Sequence, residues 1–234
     1  MRRSWVIASS LLLVQGVVGQ AHAQQLGAGL RAGVSVSDLQ NDLVEFDTRV
    51  GVAFGGFAEL RFAPWFALLP ELQFVGKGSN NEIPSQTVVF GGDGSQTTQD
   101  SASADVTVNY LELLVPFALI LPLHGPLVPR LYVGPTLALE LSCRVTYRSG
   151  DVLRQSGCAE ESTEIGTGFV RTQSFDFGVV LGGGVDIAAG PGAVTTEIRY
   201  TLGLTNINAD AGGEYALYNR DLQFLVGYTV RLSE

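Results

Sequence analysis

The sequence predicts an all-β fold: an eight-stranded antiparallel up-and-down transmembrane β-barrel with short periplasmic turns and long extracellular loops. Three observations predict it: segments in which apolar and polar residues alternate, connections that are alternately short and long, and an N-terminal export signal. The clearest segment is 194–204, where Val194 and Ile198 alternate with Glu197 and Arg199. Because successive side chains of a strand point to opposite faces, this strand has one apolar and one charged face. A membrane barrel provides lipid for the first face and an enclosed polar interior for the second.

Seven further segments share this alternation, and each is long enough for a tilted strand to cross the hydrocarbon layer, which takes about 9–11 residues. They cover residues 26–37, 50–62, 66–77, 106–120, 128–141, 175–188 and 221–232. Pro70 in the third segment predicts a bulge or a locally unpaired position, because proline has no N–H to donate to the sheet. The fourth segment has the least clear phase; with Glu112 inward, Leu111 and Leu113 face lipid.

The connections between these segments alternate in length. Short ones containing Pro or Gly follow strands two, four and six, at 63–65, 121–127 and 189–192. Longer ones follow strands one, three, five and seven, at 38–49, 78–105, 142–174 and 205–220. This alternation is typical of outer-membrane barrels, and it places both termini in the periplasm. Residues 87–90 and 106–108 suggest that the second long connection extends the hairpin beyond the membrane.

Residues 1–23 are expected to form a signal peptide, which leaves residues 24–234 as one outer-membrane β-barrel domain. Arg2 and Arg3 precede an apolar run, and Ala21-His22-Ala23 is typical of a cleavage site. A retained membrane anchor is the alternative, but the run is interrupted by polar residues and is shorter than the roughly 20 apolar residues of a spanning helix. We therefore expect the protein in the outer membrane of a Gram-negative cell envelope, with the lipid bilayer as its main partner.

The charge balance argues against a nucleic-acid partner. Loss of Arg2 and Arg3 with the signal would reduce the basic residues from 14 to 12 against 23 acidic residues, a net charge of −11. A phosphate-binding surface needs clustered Lys and Arg. Lys77 is the single lysine of the chain, whereas a water-exposed sheet usually carries many lysines. A secreted soluble barrel that binds an apolar ligand stays open as an alternative, because alternation alone does not distinguish inside from outside.

The predicted inward faces carry a set of opposite charges, together with small residues such as glycine that leave room for long side chains. The set comprises Arg31, Glu59, Arg61, Glu71, Lys77, Glu112, Arg130, Glu140, Asp186, Glu197, Arg199 and Arg231. One interpretation is a polar channel, that is, a narrow pore for small solutes or ions. The favoured interpretation is a lumen plugged by ion pairs, since eight strands enclose a space that side chains can fill and an unpaired buried charge is costly.

The sequence does not favour an enzyme, a cofactor or a metal. His22 leaves with the signal, and His124 lies in a predicted turn with no carboxylate within a few residues to orient it, so no nucleophile, base and orienting group can be assembled. Calcium among Asp151, Glu160, Glu161 and Glu164 is weakly supported, because the spacing matches no calcium loop. Cys143 and Cys158 are expected to form a disulfide, as is usual for an exported chain.

Aromatic residues near the strand ends are expected at the membrane interfaces. The set comprises Phe62, Trp65 and Phe66 near the periplasmic side and Phe74, Phe175 and Phe177 near the outer side. The indole of Trp65 can lie partly in hydrocarbon and partly in water, which suits an interfacial girdle. Because rigid barrels commonly present binding loops, we expect a structural or surface-interaction role through the extracellular loops; the sequence does not identify the extracellular partner.

Several motifs together resemble one family. They are the run Gly56-Phe57-Ala58-Glu59-Leu60-Arg61-Phe62-Ala63-Pro64-Trp65-Phe66, followed by Pro70-Glu71-Leu72 and Lys77-Gly78, then Tyr110-Leu111-Glu112 with Pro116, residues 175–186, and Arg199-Tyr200 with Leu202-Gly203-Leu204. In order and spacing they resemble the PorT-like small outer-membrane β-barrel family over nearly all of residues 26–232. The resemblance implies an eight-stranded barrel inserted by the barrel-assembly machinery, with no shared catalytic activity or cofactor. Leu232-Ser233-Glu234 departs from the aromatic end common in such barrels.

Overall fold

Alternating apolar and polar residues form strands throughout the described part of the chain. The computed structural model describes residues 25–40, 47–91, 94–121, 123, 125–158, 173–208 and 216–232. For residues 81–101 it describes the backbone but not the side chains. The strands are β1 (Gln25–Gln40), β2 (Asp47–Ala63), β3 (Phe66–Leu68), β4 (Glu71–Gly91), β5 (Gly94–Leu114), β6 (Phe117–Ile120), β7 (Leu127–Ser149), β8 (Val152–Gly157), β9 (Phe175–Ala189), β10 (Gly192–Gly203) and β11 (Tyr218–Arg231). No helix within these residues is both long enough and apolar enough to span a membrane.

The sheet closes on itself. Antiparallel neighbours follow in the order β1, β11, β10, β9, β7, β5, β4 and β2, and β2 pairs again with β1. Each strand of this ring is therefore hydrogen-bonded on both sides, and closure removes the exposed edges of an open sheet. The predicted eight-stranded antiparallel barrel is confirmed.

The ring has eight positions, here called walls, each formed by one strand or by two short consecutive strands. Two of the eight walls are interrupted at a proline. The third wall consists of β3 and β4, separated at Leu69 and Pro70, and the fourth consists of β5 and β6, separated at Val115 and Pro116. The walls stay connected at these points, since the Leu69 N–H donates to the carbonyl of Pro116 at 2.9 Å. The predicted irregularity at Pro70 is confirmed, and its cause is the missing proline N–H.

The two faces of the barrel have opposite polarity. Leu30 is 73% exposed whereas its neighbour Arg31 is 4% exposed, and the same contrast follows every wall. Glu112 is buried and Leu113 exposed, as expected for the uncertain fourth segment. A soluble barrel with an apolar interior is excluded, because the largest fully buried side chains include Arg130 and Arg199.

The two ends of the barrel differ in length. Short turns join β2 to β3, β6 to β7 and β9 to β10. At the other end β4 and β5 pair without interruption from Glu71 opposite Leu114 to Gly91 opposite Gly94, and β8 folds back on β7. The predicted long loops at 78–105 and 142–174 thus contain more strand than expected, because a hairpin with water on both faces shows no strict alternation. By the asymmetry of loop length that is typical of transmembrane barrels, this longer end corresponds to the predicted extracellular end.

Candidate functional site

Arg199 occupies the centre of the lumen. Its Nη1 and Nη2 donate to the two carboxylate oxygens of Glu71 at 2.8 and 2.9 Å. Nη2 also donates to Gln73 Oε1 at 2.8 Å, and Nε donates to Gln223 Oε1 at 2.9 Å. The guanidinium is therefore bound from β4 on one side and β11 on the other, a bidentate arrangement that is among the strongest ionic contacts in proteins.

A second centre forms around Glu197. Its carboxylate accepts hydrogen bonds from Arg31 and Arg130 and from the Tyr132 hydroxyl at 3.0 Å. Arg31 Nη1 also lies 3.4 Å from Glu71 Oε2, which links this centre to that of Arg199. Side chains from β1, β4, β7 and β10 thus meet in one network across the barrel.

The network continues towards the periplasmic end. Arg130 Nη1 lies 3.4 Å from an oxygen of Asp186 and 3.9 Å from Glu59 Oε2. Glu59 in turn accepts a hydrogen bond of 2.9 Å from Arg61 Nε. Arg61 is the most exposed of these, with 21% of its side chain accessible. The network therefore ends at the periplasmic mouth in the solvent-accessible ion pair of Arg61 with Glu59.

Towards the extracellular end the network passes through Lys77. Its ammonium bonds to Glu112 and lies 3.9 Å from Asp221 Oδ2. Gln73 Nε2 donates to Glu112 Oε2 at 2.6 Å, and the Ser35 hydroxyl donates to Asp221 Oδ1 at 2.6 Å. Since Gln73 also binds Arg199, one continuous chain of contacts runs along the lumen.

Ten of the twelve charged residues singled out in the sequence belong to this lumen network. They are Arg31, Glu59, Arg61, Glu71, Lys77, Glu112, Arg130, Asp186, Glu197 and Arg199. Arg231 does not, because it is exposed where β11 ends at the periplasmic mouth. Glu140 also stands apart, with one carboxylate oxygen lacking a hydrogen-bond partner among the described residues.

The pairing within the lumen network differs from the simplest expectation. Glu197 and Arg199 lie two residues apart on one inward face and suggest an ion pair with each other. In the structure Arg199 instead binds Glu71, and Glu197 binds Arg31 and Arg130. In a narrow barrel the opposite wall is within reach of a long side chain, so cross-lumen partners compete with neighbours on the same strand.

Four uncharged polar residues and two carboxylates also line the lumen but were not among the predicted site residues. They are Gln73, Gln223, Tyr132, Asn219, Asp176 and Asp221. The alternation of the sequence provides a usable signal for them, since each falls on the polar face of its strand. The two glutamines matter most, because each joins an arginine to a carboxylate and so connects the two halves of the lumen.

Cys143 and Cys158 form the expected disulfide, with their Cα atoms 5.4 Å apart. The bond joins β7 to the residue just after β8 and so closes the base of the second extracellular hairpin. Asp151 is exposed at the tip of this hairpin. The other proposed calcium ligands, together with residues 1–23 and His124, lie outside the described residues, within which no cluster of three metal-binding side chains occurs.

Replacing both cysteines with serine should make the β7–β8 hairpin sensitive to trypsin while the barrel stays folded. A disulfide that closes a loop of 15 residues lowers the entropy of the open chain, which stabilises the closed hairpin by about 3 kcal/mol in the entropy model. Peptide mapping should then show faster cleavage after Arg148 and Arg154, both exposed. The oxidised protein is the control, and equal cleavage of both proteins would contradict a stapling role.

Five of the six predicted interface aromatics lie near the two ends of the lipid-facing surface, whereas Phe74 stacks on Phe54 with the ring centroids 5.1 Å apart. Trp65 is 57% exposed, and its ring centroid lies 5.7 Å from that of Phe66, which in turn lies 6.1 Å from Phe62. Phe175 and Phe177, each 57% exposed, stand at the opposite end where β9 begins. This distribution fits interfacial girdles, in which rings lie between hydrocarbon and water.

Solved structures that align with most of this chain include the following three. Neisserial surface protein A is 14% identical, with 87% of this chain and 96% of that chain aligned and a TM-score of 0.45. The attachment invasion locus protein Ail of Yersinia pestis is 9% identical (88% and 99%; TM-score 0.42). The outer membrane protease OmpT of Escherichia coli is 7% identical (90% and 97%; TM-score 0.35). At these values the likenesses carry no conclusion about activity.

A comparison with curated proteins gave no significant match. A family model described as the outer membrane protein beta-barrel domain, in contrast, matches residues 20–209. This match spans most of the chain and agrees with the closed sheet and its exposed apolar belt. The chain belongs to the outer membrane protein beta-barrel domain family and is an outer-membrane β-barrel protein.

Proposed function

We propose that this protein is a non-enzymatic outer-membrane barrel with a structural or surface-interaction role, exerted through its extracellular hairpins. The observation that carries the proposal is the asymmetry of the sheet. At the periplasmic end the walls are joined by short turns, whereas at the other end β4 and β5 continue as a paired hairpin to Gly91 and Gly94. An ordered extension of this kind presents a surface outside the cell, on a rigid scaffold.

The lumen supports an interaction role more than transport. Arg130 and Arg199 are buried at the centre and are held by carboxylates and amides from several walls. Eight strands leave an interior that side chains can fill, and an open path would need these ion pairs to separate. The competing proposal is a narrow pore for small solutes or ions.

Purified protein in planar lipid bilayers should therefore show no large, stable conductance. The charged side chains that would line a pore neutralise one another across the lumen, and their separation leaves buried charges without partners. Single-channel recording is the measurement, with a known porin in the same bilayer as a positive control. Reproducible ohmic channels from the purified protein would favour the pore over the plugged barrel.

The same contacts support a non-enzymatic role. A general acid or base needs a free carboxyl or imidazole that can exchange a proton with a substrate. Glu71 and Glu197, the most central carboxylates, instead accept hydrogen bonds from Arg199, Arg31, Arg130 and Tyr132.

We also propose, on the motifs that run from Gly56 to Leu204, that the chain lies in the PorT-like branch of small barrels and is inserted by the barrel-assembly machinery.

Shortening the β4–β5 hairpin tests the proposed role directly. Asn81 and Ala104 are register partners, so residues 82–103 can be replaced by an Asn-Gly turn without disturbing the ladder below. Fluorescent vesicles carrying the full chain should be retained on bacterial or cultured eukaryotic cells several-fold better than vesicles carrying the shortened chain. Heat-dependent gel mobility verifies that both barrels fold. If the full chain is retained no better than empty vesicles, the surface-interaction role is refuted.

A further inference from the structure

A cavity of about 220 Å³ opens at the periplasmic mouth, where the lumen network ends. Inward-facing residues without long side chains leave this space, among them Gly27 on β1, Ala188 on β9 and Ala193 on β10. Its volume is below the roughly 300–1,000 Å³ of pockets for drug-sized molecules. The cavity therefore suits a small ligand that enters from the periplasmic side.

Four charged side chains line this cavity, two carboxylates and two guanidinium groups. They are Glu59, Arg61, Asp186 and Arg231. Glu59 and Arg61 neutralise each other, since Arg61 Nε donates to Glu59 Oε1 at 2.9 Å. Asp186 and Arg231 form no ion pair with each other. The lining is thus neutral overall but carries two opposite charges that do not meet.

Asp186 keeps an unused hydrogen-bond acceptor. Arg130 Nη1 lies 3.4 Å from each of its two carboxylate oxygens, and only Oδ2 accepts a hydrogen bond from it. Oδ1 has no hydrogen-bond partner among the described residues. Because a buried acceptor without a donor costs free energy, an ammonium group in the cavity can satisfy this carboxylate.

The complementary groups belong to β11. Thr229 is 7% exposed, and its hydroxyl has no hydrogen-bond partner within the described part of the chain. Arg231 follows two residues later on the same inward face; it is exposed and forms no hydrogen bond or ion pair with a described residue. A hydroxyl and a guanidinium both donate to carboxylate oxygens. This wall therefore offers a place for an anionic group.

The register of the sheet explains why the two free charges do not pair directly. Asp186 is opposite Thr195, and Thr195 is opposite Gly227. Asp186 is therefore level with a position four residues before Arg231, about 13 Å along the strands, and it lies two strands away. A ligand that satisfies both must carry its two charges apart. The two ends of a short peptide do so, whereas a single amino acid carries them on one carbon atom.

We propose that this cavity binds a short peptide whose ends are free, with its ammonium group at Asp186 and its carboxylate at Arg231 and Thr229. Apolar surface from Leu26 and Pro126 also lines the cavity and suits small apolar side chains of the peptide. The proposal does not depend on the surface-interaction role, because the cavity lies at the opposite end of the barrel from the β4–β5 hairpin.

The test measures binding of radiolabelled Ala-Ala to the full-length folded protein in detergent micelles by equilibrium dialysis. N-acetyl-Ala-Ala lacks the ammonium group, and Ala-Ala-amide lacks the carboxylate. Each should bind roughly ten-fold more weakly than Ala-Ala, because each loses one charge-assisted hydrogen-bonded contact. Added salt should weaken the binding of Ala-Ala, since the mouth of the cavity is open to solvent.

Variants assign each end of the peptide to its residue. Arg231→Gln should bind Ala-Ala and Ala-Ala-amide equally but still discriminate against N-acetyl-Ala-Ala. Asp186→Asn should show the reverse pattern. Ala193→Leu fills the cavity without changing a charge and should abolish binding. Arg148→Gln is the matched control, because it removes an exposed cation at the other end of the barrel and should bind as the wild type does.

The proposal is overturned if the wild type binds Ala-Ala no more tightly than the two blocked peptides. It is also overturned if Arg231→Gln and Arg148→Gln lose the same affinity, because binding would then follow total charge and not this cavity. Heat-dependent gel mobility of every variant excludes a loss that comes from misfolding. Cell retention through the β4–β5 hairpin is measured separately, so the two proposals can fail independently.

Discussion

Replacing Arg199 with Met should lower the free energy of unfolding by about 3–5 kcal/mol, the largest effect expected from a single substitution in the lumen. The guanidinium makes four hydrogen bonds, two to Glu71 and one each to Gln73 and Gln223. Its removal leaves a buried carboxylate and two buried amides without their main partner. Urea titration of the refolded protein in detergent micelles or lipid vesicles measures the change.

A second substitution distinguishes the loss of a charge from the loss of packing. Arg199→Met/Glu71→Met removes both partners, and replacing a buried ion pair by apolar side chains of similar size is often close to neutral. The double variant should therefore recover more than half of the loss, which appears as a coupling energy in a double-mutant cycle. Arg231→Met, at the exposed periplasmic mouth, should stay within about 0.5 kcal/mol of the wild type.

Either of two results would contradict this account of the lumen network. If Arg199→Met unfolds at the same urea concentration as Arg231→Met, the central ion pair contributes nothing to stability. If the double variant is less stable than Arg199→Met by the full cost of a second independent site, Glu71 and Arg199 act separately. Both outcomes would weaken the plugged-barrel proposal, which depends on a cohesive interior.

The fold could be predicted from the sequence because strand periodicity has an unambiguous consequence. Leu30 and Arg31 are neighbours, yet one faces lipid and the other the lumen, and the alternation already separates them. Pro70 identified a real break in the third wall. The predicted export signal, the loop lengths and the scarcity of lysine favoured the arrangement with the apolar face outward, and the apolar belt is exposed in the structure.

The partners within the lumen could not be predicted in the same way. Alternation identifies the residues that point inward but gives neither the tilt of the walls nor the height of each side chain. Arg199 therefore lies near Glu197 in sequence but binds Glu71, which is 128 residues away. Arg231 has the correct parity for the lumen, yet it stands where the strand meets water. Such pairings depend on the register of the closed sheet, which no local pattern encodes.

The extracellular hairpins show a third limit. Residues 78–105 are rich in polar residues, and the sequence suggested a long loop with a short strand extension. The structure continues the ladder to Gly91 and Gly94. A strand with water on both faces has no row of apolar residues by which the sequence could identify it. Its pairing depends on the membrane-spanning part of the same hairpin, which fixes the register from Glu71 opposite Leu114.

The seam between the first and last strands should be sensitive to even a small addition. An ideal Cβ atom at Gly33 would lie 1.9 Å from the carbonyl oxygen of Phe224 and 2.9 Å from the Cα of Leu225. Both are backbone atoms of β11, so the strands must move apart to admit even a methyl group. Gly33→Ala should therefore cost about 1–3 kcal/mol and reduce the yield of folded barrel, measured by urea titration and by heat-dependent gel mobility.

Gly56→Ala is the matched control on the outer surface. Its nearest contact would be Leu30 Cδ2, a side-chain atom at 3.4 Å, which can adjust. Alanine also reduces the conformational entropy of the unfolded chain, so this variant should be neutral or more stable by up to about 1 kcal/mol. Equal losses in the two variants would show that strand propensity governs both sites. A loss confined to Gly33→Ala would show that the close approach of β1 and β11 limits closure of the barrel, on which every cross-lumen contact depends.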